Sequence, residues 1–191
     1  IQKILIVGNH ITQKQPDKNF AWDRSCGAAA SSAAYDYAHR LYELISATQK
    51  NRPELVIAAL KDEATLSGYD ELSSNDADCI IIQLGDNFWQ TPTPESLQKP
   101  YETLIEQLRS DRKVLIVCVG LWGGGIRDSL IEQAAKNQNA LFVPIAQLNT
   151  SYENHAIAEV QYQHNELNWL PGDRGMKAIA DEIWQKMKHR V

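Results

Sequence analysis

Short apolar segments rich in β-branched residues alternate with segments of helical periodicity along this chain. Five segments are apolar at consecutive positions, at residues 3–7, 55–60, 79–84, 114–119 and 141–145. Four others repeat apolar residues with the period of an α-helix, at residues 28–46, 97–109, 126–136 and 176–187. Consecutive apolar positions are typical of parallel strands buried on both faces. The pattern predicts an α/β fold with a five-stranded parallel sheet between helices, in one domain over residues 1–191.

Two long loops follow the first and third predicted strands, at residues 8–24 and 87–94. Ligands of open α/β sheets bind beyond the carboxyl ends of the strands. We therefore expect these two loops to form the functional site. A third long loop, residues 150–171, precedes the last predicted helix.

Composition and charge exclude some partners. The chain has 191 residues and a formal net charge of −5, whereas nucleic-acid binding requires a basic face. No stretch approaches the roughly 18 consecutive apolar residues of a membrane span. The expected partner is a small molecule or a glycan, with neither nucleic acid nor a membrane. The oligomeric state and the compartment stay open, with export as one alternative for a soluble protein.

Four short motifs lie at the ends of these predicted elements. They read G-N-H-I-T at residues 8–12, S-C-G-A-A-A-S at 25–31, Q-L-G-D-N-F at 83–88 and L-P-G-D-R-G-M at 170–176. In this order they resemble the four sequence blocks of the SGNH (GDSL-like) hydrolases, in particular the branch whose first block reads G-N-S-I-T. The resemblance covers nearly the whole chain. It implies a three-layer α/β/α sandwich with a flavodoxin-like sheet, and an esterase, lipase or carbohydrate deacetylase lineage.

The resemblance also assigns roles to single positions, and the match is uneven. The backbone amide of Gly27 and the side chain of Asn87 fall where the family has two oxyanion-hole donors, which stabilise charge developing on a carbonyl oxygen. The family's nucleophilic serine corresponds to His10, and its histidine base corresponds to Leu170. The acidic residue that often precedes this base corresponds to Leu167. Ordinary Ser–His chemistry cannot run at these positions, because leucine accepts no proton.

Several residues could replace the lost pair. His10 could be a structural polar residue, a ligand-binding or acid/base group, or a nucleophile. Cys26 precedes Gly27 at a predicted helix start, where its thiol pKa would be lowered and a Cys–His pair could form; the alternative is a small packed residue. Asp86 and Asp23 could act as paired carboxylates, or lie in turns. His164 could serve as a displaced base, or be a loop residue in solvent.

Residues near the strand ends are candidates for ligand binding. They are Asn9 in the first motif and three loop tryptophans, Trp22, Trp89 and Trp122. Tryptophan rings there would suit stacking on sugar rings, and they would equally suit packing of the loops onto the sheet. The cysteines Cys26, Cys79 and Cys118 have no zinc-like spacing, so we predict neither a metal site nor a cofactor.

Two functions remain open at this point. The first is a catalytically degenerate SGNH-like domain that binds a carbohydrate- or acyl-type ligand. The second is an active hydrolase of carbohydrate acyl esters whose machinery is rebuilt around His10, Cys26, Asp86 or His164. The sequence favours the first function, because the loss of both reacting groups is explained more simply by lost chemistry than by new chemistry.

Overall fold

The computed structural model describes residues 1–59, 63, 66, 72, 76–88, 90–110 and 112–191. Five strands form one sheet: β1 (Lys3–Gly8), β2 (Glu54–Ala59), β3 (Cys79–Gln83), β4 (Leu115–Val119) and β5 (Leu141–Val143). All neighbouring strands are parallel, in the order β2-β1-β3-β4-β5. The predicted strands are confirmed, with bounds that differ by one or two residues.

The helices lie on both sides of this sheet. They are α1 (Tyr37–Ser46), α2 (Lys99–Arg109), α3 (Ile126–Asn137), the short α4 (Asn165–Asn168) and α5 (Asp173–Met187). Single turns of 3₁₀-helix occur at Lys18–Phe20, Ala33–Tyr35, Ala146–Thr150, Tyr152–Asn154 and Ala156–Ala158, and a π-helical turn, Pro94–Gln98, leads into α2. None of the helices in the described part of the chain is long and apolar enough to span a membrane.

The core is divided by the sheet into two apolar layers. Successive strand residues point to opposite faces, so Ile4 and Ile6 pack with α1 and α5, whereas Leu5 and Val7 pack with α2 and α3. All four of these side chains are buried. This alternation explains why the strands are apolar at consecutive positions, and it confirms the predicted three-layer α/β fold.

The first helix begins much later than the periodicity predicted. Helix α1 starts at Tyr37, because the Asp36 carboxylate caps it by accepting a hydrogen bond of 2.8 Å from the His39 amide. The second motif runs as an irregular loop, in which Ala29 has a φ of 70°. The Ala28 amide in that loop donates to the His10 carbonyl at 2.7 Å. The prediction that residues 25–31 open a helix is therefore wrong.

The last helix carries a smaller correction. It begins at Asp173 with Gly172 as its N-cap, three residues before the predicted start at residue 176. The Asp173 carboxylate accepts hydrogen bonds from the Ser31 amide at 2.8 Å and the Ser31 hydroxyl at 2.6 Å. These contacts attach the loop of the second motif to the start of α5.

Candidate functional site

A cavity of about 350 Å³ lies beyond the carboxyl ends of β1 and β3. Its wall combines polar and apolar side chains from three parts of the chain: Asn9, His10, Lys14, Phe20, Asn87, Glu166, Leu167 and Leu170. The structure thus brings together parts of the first, third and fourth motifs. None of the described residues that line the cavity carries a hydroxyl or thiol group.

A tight turn after β1 presents His10 to this cavity. The amides of Thr12 and Gln13 donate to the Asn9 carbonyl at 2.7 and 2.8 Å. A Cβ atom on Gly8 would lie 1.8 Å from the Thr12 hydroxyl, so only glycine fits at the start of the turn. The G-N-H-I-T motif therefore has a structural role that does not depend on a nucleophile.

The half-buried His10 ring contacts the side chain of Asn87. The Asn87 amide nitrogen lies 3.2 Å from Nδ1 of His10. Burial lowers the pKa of His10, although the negative charge of Glu63 acts in the opposite direction. A neutral imidazole has one acceptor nitrogen, so Asn87 donates to Nδ1 and the ring proton is on Nε2.

Glu63 holds both asparagines of the cavity wall. This carboxylate is only 3% exposed, and it accepts hydrogen bonds from Asn9 Nδ2 at 2.5 Å, the Gly85 amide at 2.6 Å and the Asn87 amide at 2.9 Å. Three N–H donors offset much of the cost of burying a charge. Glu63 thereby fixes the loops that follow β1, β2 and β3 relative to one another.

The Gly27 amide is engaged away from the cavity. It donates to the Asp36 carboxylate at 3.2 Å, and both residues are buried. A Cβ atom on Gly27 would lie 2.5 Å from the Ile11 carbonyl oxygen, so the loop packs too closely there for any side chain. Gly27 is not among the residues that line the cavity. Of the donors expected from the resemblance, the Gly27 amide is bonded to Asp36, and one of the two Asn87 side-chain N–H groups is bonded to His10.

Leu170, the residue at the position expected for the base, lies in the cavity wall and has an aliphatic side chain. Leu170 is half-buried, and the neighbouring wall residue Leu167 is 1% exposed. Glu166, one residue before the position expected for the family's acid, also lines the cavity with an exposed side chain.

Cys26 is buried beneath the second motif and does not border the cavity. Its thiol donates to the Ala30 carbonyl at 3.9 Å. Burial raises the pKa of Cys26 to about 11, which is opposite in direction to the lowered thiol pKa expected at a helix start. The expectation failed because no helix begins there, and the negative charge of Asp36 also raises the thiol pKa.

The two aspartates considered as a pair have separate partners. The Asp86 carboxylate accepts a hydrogen bond of 2.6 Å from Gln83, and burial raises the pKa of Asp86 to about 6. Asp23 is exposed and contacts Arg24 at 3.1 Å. Neither aspartate is among the residues that line the cavity.

Two of the three tryptophans proposed for ligand binding, Trp22 and Trp122, are buried and pack loops. Trp22 is 2% exposed and donates to the Lys14 carbonyl, and Trp122 is 5% exposed and donates to the Trp169 carbonyl at 2.9 Å. Trp89 lies outside the described residues. Trp169, beside the fourth motif, is 49% exposed.

His164 packs against a residue of the cavity wall. Its ring centroid lies 4.2 Å from that of Phe20, while the Lys14 ammonium lies 4.0 Å from the same Phe20 centroid. Lys14 also forms an ion pair of 3.6 Å with Asp17. His164 does not line the cavity itself. Among the described residues, no group of three or more His, Cys, Asp or Glu side chains could hold a metal ion.

Sequence reasoning missed four residues of this site. Glu63 lies in a stretch without strand or helix periodicity, and Lys14 and Phe20 lie within a long loop without regular spacing. Glu166 could have been found by its position beside Leu167. Glu63 could be recognised only through its contacts in the folded chain.

No protein-family model matches the sequence, and no curated protein matches it. Among solved structures, a two-domain esterase active on acetylated mannans, co-crystallised with mannopentaose, matches with 18% identity and a TM-score of 0.68. The match covers 99% of this chain and 50% of the esterase, so this chain spans about half the esterase's length.

Two further structures match along nearly their whole length. A family 3 carbohydrate esterase of Clostridium thermocellum matches with 12% identity and a TM-score of 0.65, over 99% of this chain and 96% of its own. A protein assigned as a GDSL-like lipase, from Parabacteroides merdae, matches with 18% identity and a TM-score of 0.63, over 98% of this chain and 97% of its own. The chain therefore has the α/β fold that SGNH (GDSL-like) lipases and carbohydrate esterases share.

Proposed function

We propose that residues 1–191 form a single SGNH-hydrolase-like domain of the G-N-S-I-T branch that has lost its ester chemistry and binds a carbohydrate- or acyl-type ligand in the cavity. The observation that carries this proposal is the engagement of the Gly27 amide and of one of the two side-chain N–H groups of Asn87. The Gly27 amide is bonded to Asp36, and the Asn87 side chain is bonded to His10. A donor that is already bonded must lose that bond before it can stabilise a carbonyl oxygen, which weakens the catalytic contribution expected of it.

The residues that line the cavity also support the proposal that ester hydrolysis has been lost. Ester hydrolysis of the family's kind needs a nucleophile next to a base. Beside His10, the cavity wall offers the aliphatic Leu170 and the ion-paired Lys14. Glu166 is an exposed carboxylate, and none of the described residues that line the cavity offers it a hydroxyl or thiol to activate.

The alternative, an active hydrolase with rebuilt machinery, receives less support. It requires Cys26, Asp86 or His164 to act beside His10. The Cys26 thiol contacts the Ala30 carbonyl, and the Asp86 carboxylate contacts Gln83. His164 packs against the Phe20 ring and is not among the residues that line the cavity.

A ligand of carbohydrate or acyl type fits the shape and lining of the cavity. Its volume of about 350 Å³ is at the lower end of the range for small-molecule sites. The wall combines apolar and polar side chains, which suits a sugar ring or a short acyl group. A structural neighbour that shares this fold was crystallised with mannopentaose, which is consistent with a glycan.

Hydrolysis of 4-nitrophenyl acetate and butyrate tests the loss of chemistry. We expect release of nitrophenolate at the same rate from the wild type and from His10→Ala, without a burst. Saturable turnover that disappears in His10→Ala would contradict the proposal.

Ligand binding is tested with mannopentaose and with butyrate, and it is followed by the NMR signals of the His10 ring. Leu170→Trp, which fills the cavity, should abolish any saturable shift, with thermal melting as the control for folding.

A further inference from the structure

A chain of hydrogen bonds between polar side chains runs near the carboxyl ends of β1 and β3. The Tyr37 hydroxyl lies 2.7 Å from Oγ1 of Thr12, and the Thr12 hydroxyl donates to Oε1 of Gln83 at 3.5 Å. The side-chain nitrogen of Gln83 donates to Oδ2 of Asp86 at 2.6 Å. Tyr37, Thr12 and Gln83 are at most 1% exposed. Burying polar groups is costly unless they are bonded, so packing of an otherwise apolar strand does not account for Gln83.

Every bond of this chain points towards Asp86. Thr12 has a single hydroxyl proton and gives it to Gln83, so the Tyr37 hydroxyl donates to Thr12. Burial raises the pKa of Tyr37, which keeps its proton in place. At the other end, Asp86 accepts from Gln83 and also from the backbone amide of Trp122. The ionised carboxylate of Asp86 is therefore the last acceptor of the chain.

The two bonds of the Gln83 side chain differ in length. The bond to Asp86, at 2.6 Å, is shorter than the usual length of about 2.9 Å, and the contact with Thr12, at 3.5 Å, is longer than the usual length of about 2.7 Å. A carboxylate is a stronger acceptor than a neutral group, so ionised Asp86 holds Gln83 away from Thr12. Burial raises the pKa of Asp86 to about 6. A proton on this carboxyl weakens the hold and lets Gln83 move towards Thr12.

Both ends of the chain adjoin the cavity wall. The Thr12 amide closes the turn that presents His10, through a bond of 2.7 Å to the carbonyl that precedes His10. Asp86 directly precedes Asn87, whose side chain contacts the His10 ring. Gln83 itself is not among the residues that line the cavity.

Different charges act on Asp86 and on His10. Besides burial, Arg127 of α3 lowers the pKa of Asp86, and Asp128 of α3 raises it. Besides burial, the charges that act on the pKa of His10 are those of Glu63, Lys14 and Glu166. A response of His10 to Asp86 therefore has to pass through contacts between the two residues.

From these contacts we propose that Gln83 is a positioning residue of the cavity, through which the ionisation of Asp86 moves Thr12. Thr12 in turn sets how the His10 ring lies against Asn87. The consequence for ligands rests on the proposed binding function: with Asp86 protonated, Gln83 holds Thr12 more closely, the turn is better ordered, and a ligand binds more tightly. By linkage, a bound ligand makes Asp86 harder to ionise.

NMR titration of the ligand-free protein tests the transmission. We expect the Thr12 methyl signal to shift with an inflection at the Asp86 pKa of about 6, and this step should be absent in Asp86→Asn. Gln83→Met keeps the length of the side chain without either hydrogen bond, so the Thr12 step should shrink although Asp86 still titrates. A Thr12 step of full size in Gln83→Met, or in Asp86→Asn, would overturn the inference.

Two further variants complete this test. Asp128→Asn changes a neighbouring carboxyl that accepts from the Leu121 amide and lies outside the chain, and it should keep the Thr12 step. Thr12→Val cuts the chain on the other side of Gln83, with the His10 ring as the reporter, and it replaces Gln83→Met if thermal melting shows that variant to be unfolded. The step at the Asp86 pKa should then be lost from the His10 signals, and its persistence would overturn the inference.

Ligand affinity separates this inference from the binding function. Mannopentaose is titrated at about pH 5 and pH 7, one unit on either side of the Asp86 pKa of about 6, into the wild type, Asp86→Asn and Gln83→Met. The ratio of the affinity at the lower pH to that at the higher pH should be about fivefold larger in the wild type, because the variants keep only the titration of His10. Equal ratios in all three proteins would overturn the inference. If no protein binds mannopentaose but the Thr12 step depends on Gln83, the glycan assignment is wrong and the positioning role of Gln83 is supported.

Discussion

The side-chain amide of Asn87 lies 3.2 Å from Nδ1 of His10, so the residue at the position expected for a serine nucleophile also engages one of the expected oxyanion donors. A serine at this position could not reach as far as an imidazole ring does. Histidine in place of serine at this position would therefore change two features together, the reacting group and the hydrogen bonding of the cavity wall. This coupling makes substitutions at His10 informative about the whole site.

Restoring the family's residues should require both positions. We expect His10→Ser alone to leave ester hydrolysis at the wild-type level, because serine without a base is a weak nucleophile. In His10→Ser with Leu170→His, activity should rise by up to about 10²-fold, the lower range of a general-base contribution. Hydrolysis of 4-nitrophenyl acetate measures this, with Leu170→His alone as the control. Strong activity in the single serine variant would reveal a base already present.

The thiols should be unreactive in the folded protein. Burial raises the pKa of Cys26 to about 11, and that of Cys79 and Cys118 to about 12. At pH 8 we expect Cys26 to react with iodoacetamide more than about 100-fold more slowly than free cysteine, because its thiolate fraction is small. Mass spectrometry counts the modified sites, and labelling in urea, where all three react, is the control. Rapid labelling of Cys26 alone would support a cysteine-dependent activity.

Glu63 should control both stability and the titration of His10. In Glu63→Gln the loss of a charged acceptor leaves buried N–H groups poorly matched, so unfolding free energy should fall by about 1–3 kcal/mol. The pKa of His10 should fall further below its usual value, because the negative charge of Glu63 raises it. Urea unfolding and NMR titration measure the two effects. In Glu166→Gln the pKa of His10 should fall less, with stability unchanged; a His10 pKa unaltered in both variants would contradict this electrostatic account.

Most of the fold could be predicted from the sequence, because burial on both faces leaves consecutive apolar residues in every strand. The residues 79–83 are all buried, and their pattern alone predicts β3 closely. The start of α1 could not be predicted, because alanine-rich residues 28–34 favour helix locally. Their backbone groups are used in long-range contacts instead, such as the bond from Ala28 to the His10 carbonyl.

The site was less predictable than the fold. The motifs place His10, Asn87 and Leu170 around one cavity, which the order of strands in a parallel sheet makes foreseeable. The partners of the two expected donors were not foreseeable. Asp36 lies nine residues after Gly27 and Glu63 lies 24 residues before Asn87, and no local pattern connects either pair. Buried carboxylates of this kind are recognised only by the donors that converge on them.

Asp86 should make the protein less stable as the pH rises, and replacing it should remove that dependence. Burial raises the pKa of its folded-state carboxyl to about 6 from an ordinary value of 3.8, so the folded state binds the proton more tightly. Stability is therefore lost between these two pH values, by up to about 3 kcal/mol. Asp86→Asn keeps an oxygen for the hydrogen bond from Gln83, and its unfolding free energy should lack this loss over the range. Urea unfolding at a series of pH values measures this. Asp23→Asn, at an exposed carboxyl whose pKa Arg24 lowers, should change the slope slightly and in the opposite direction. An Asp86→Asn protein with the wild-type slope would show that another group causes it.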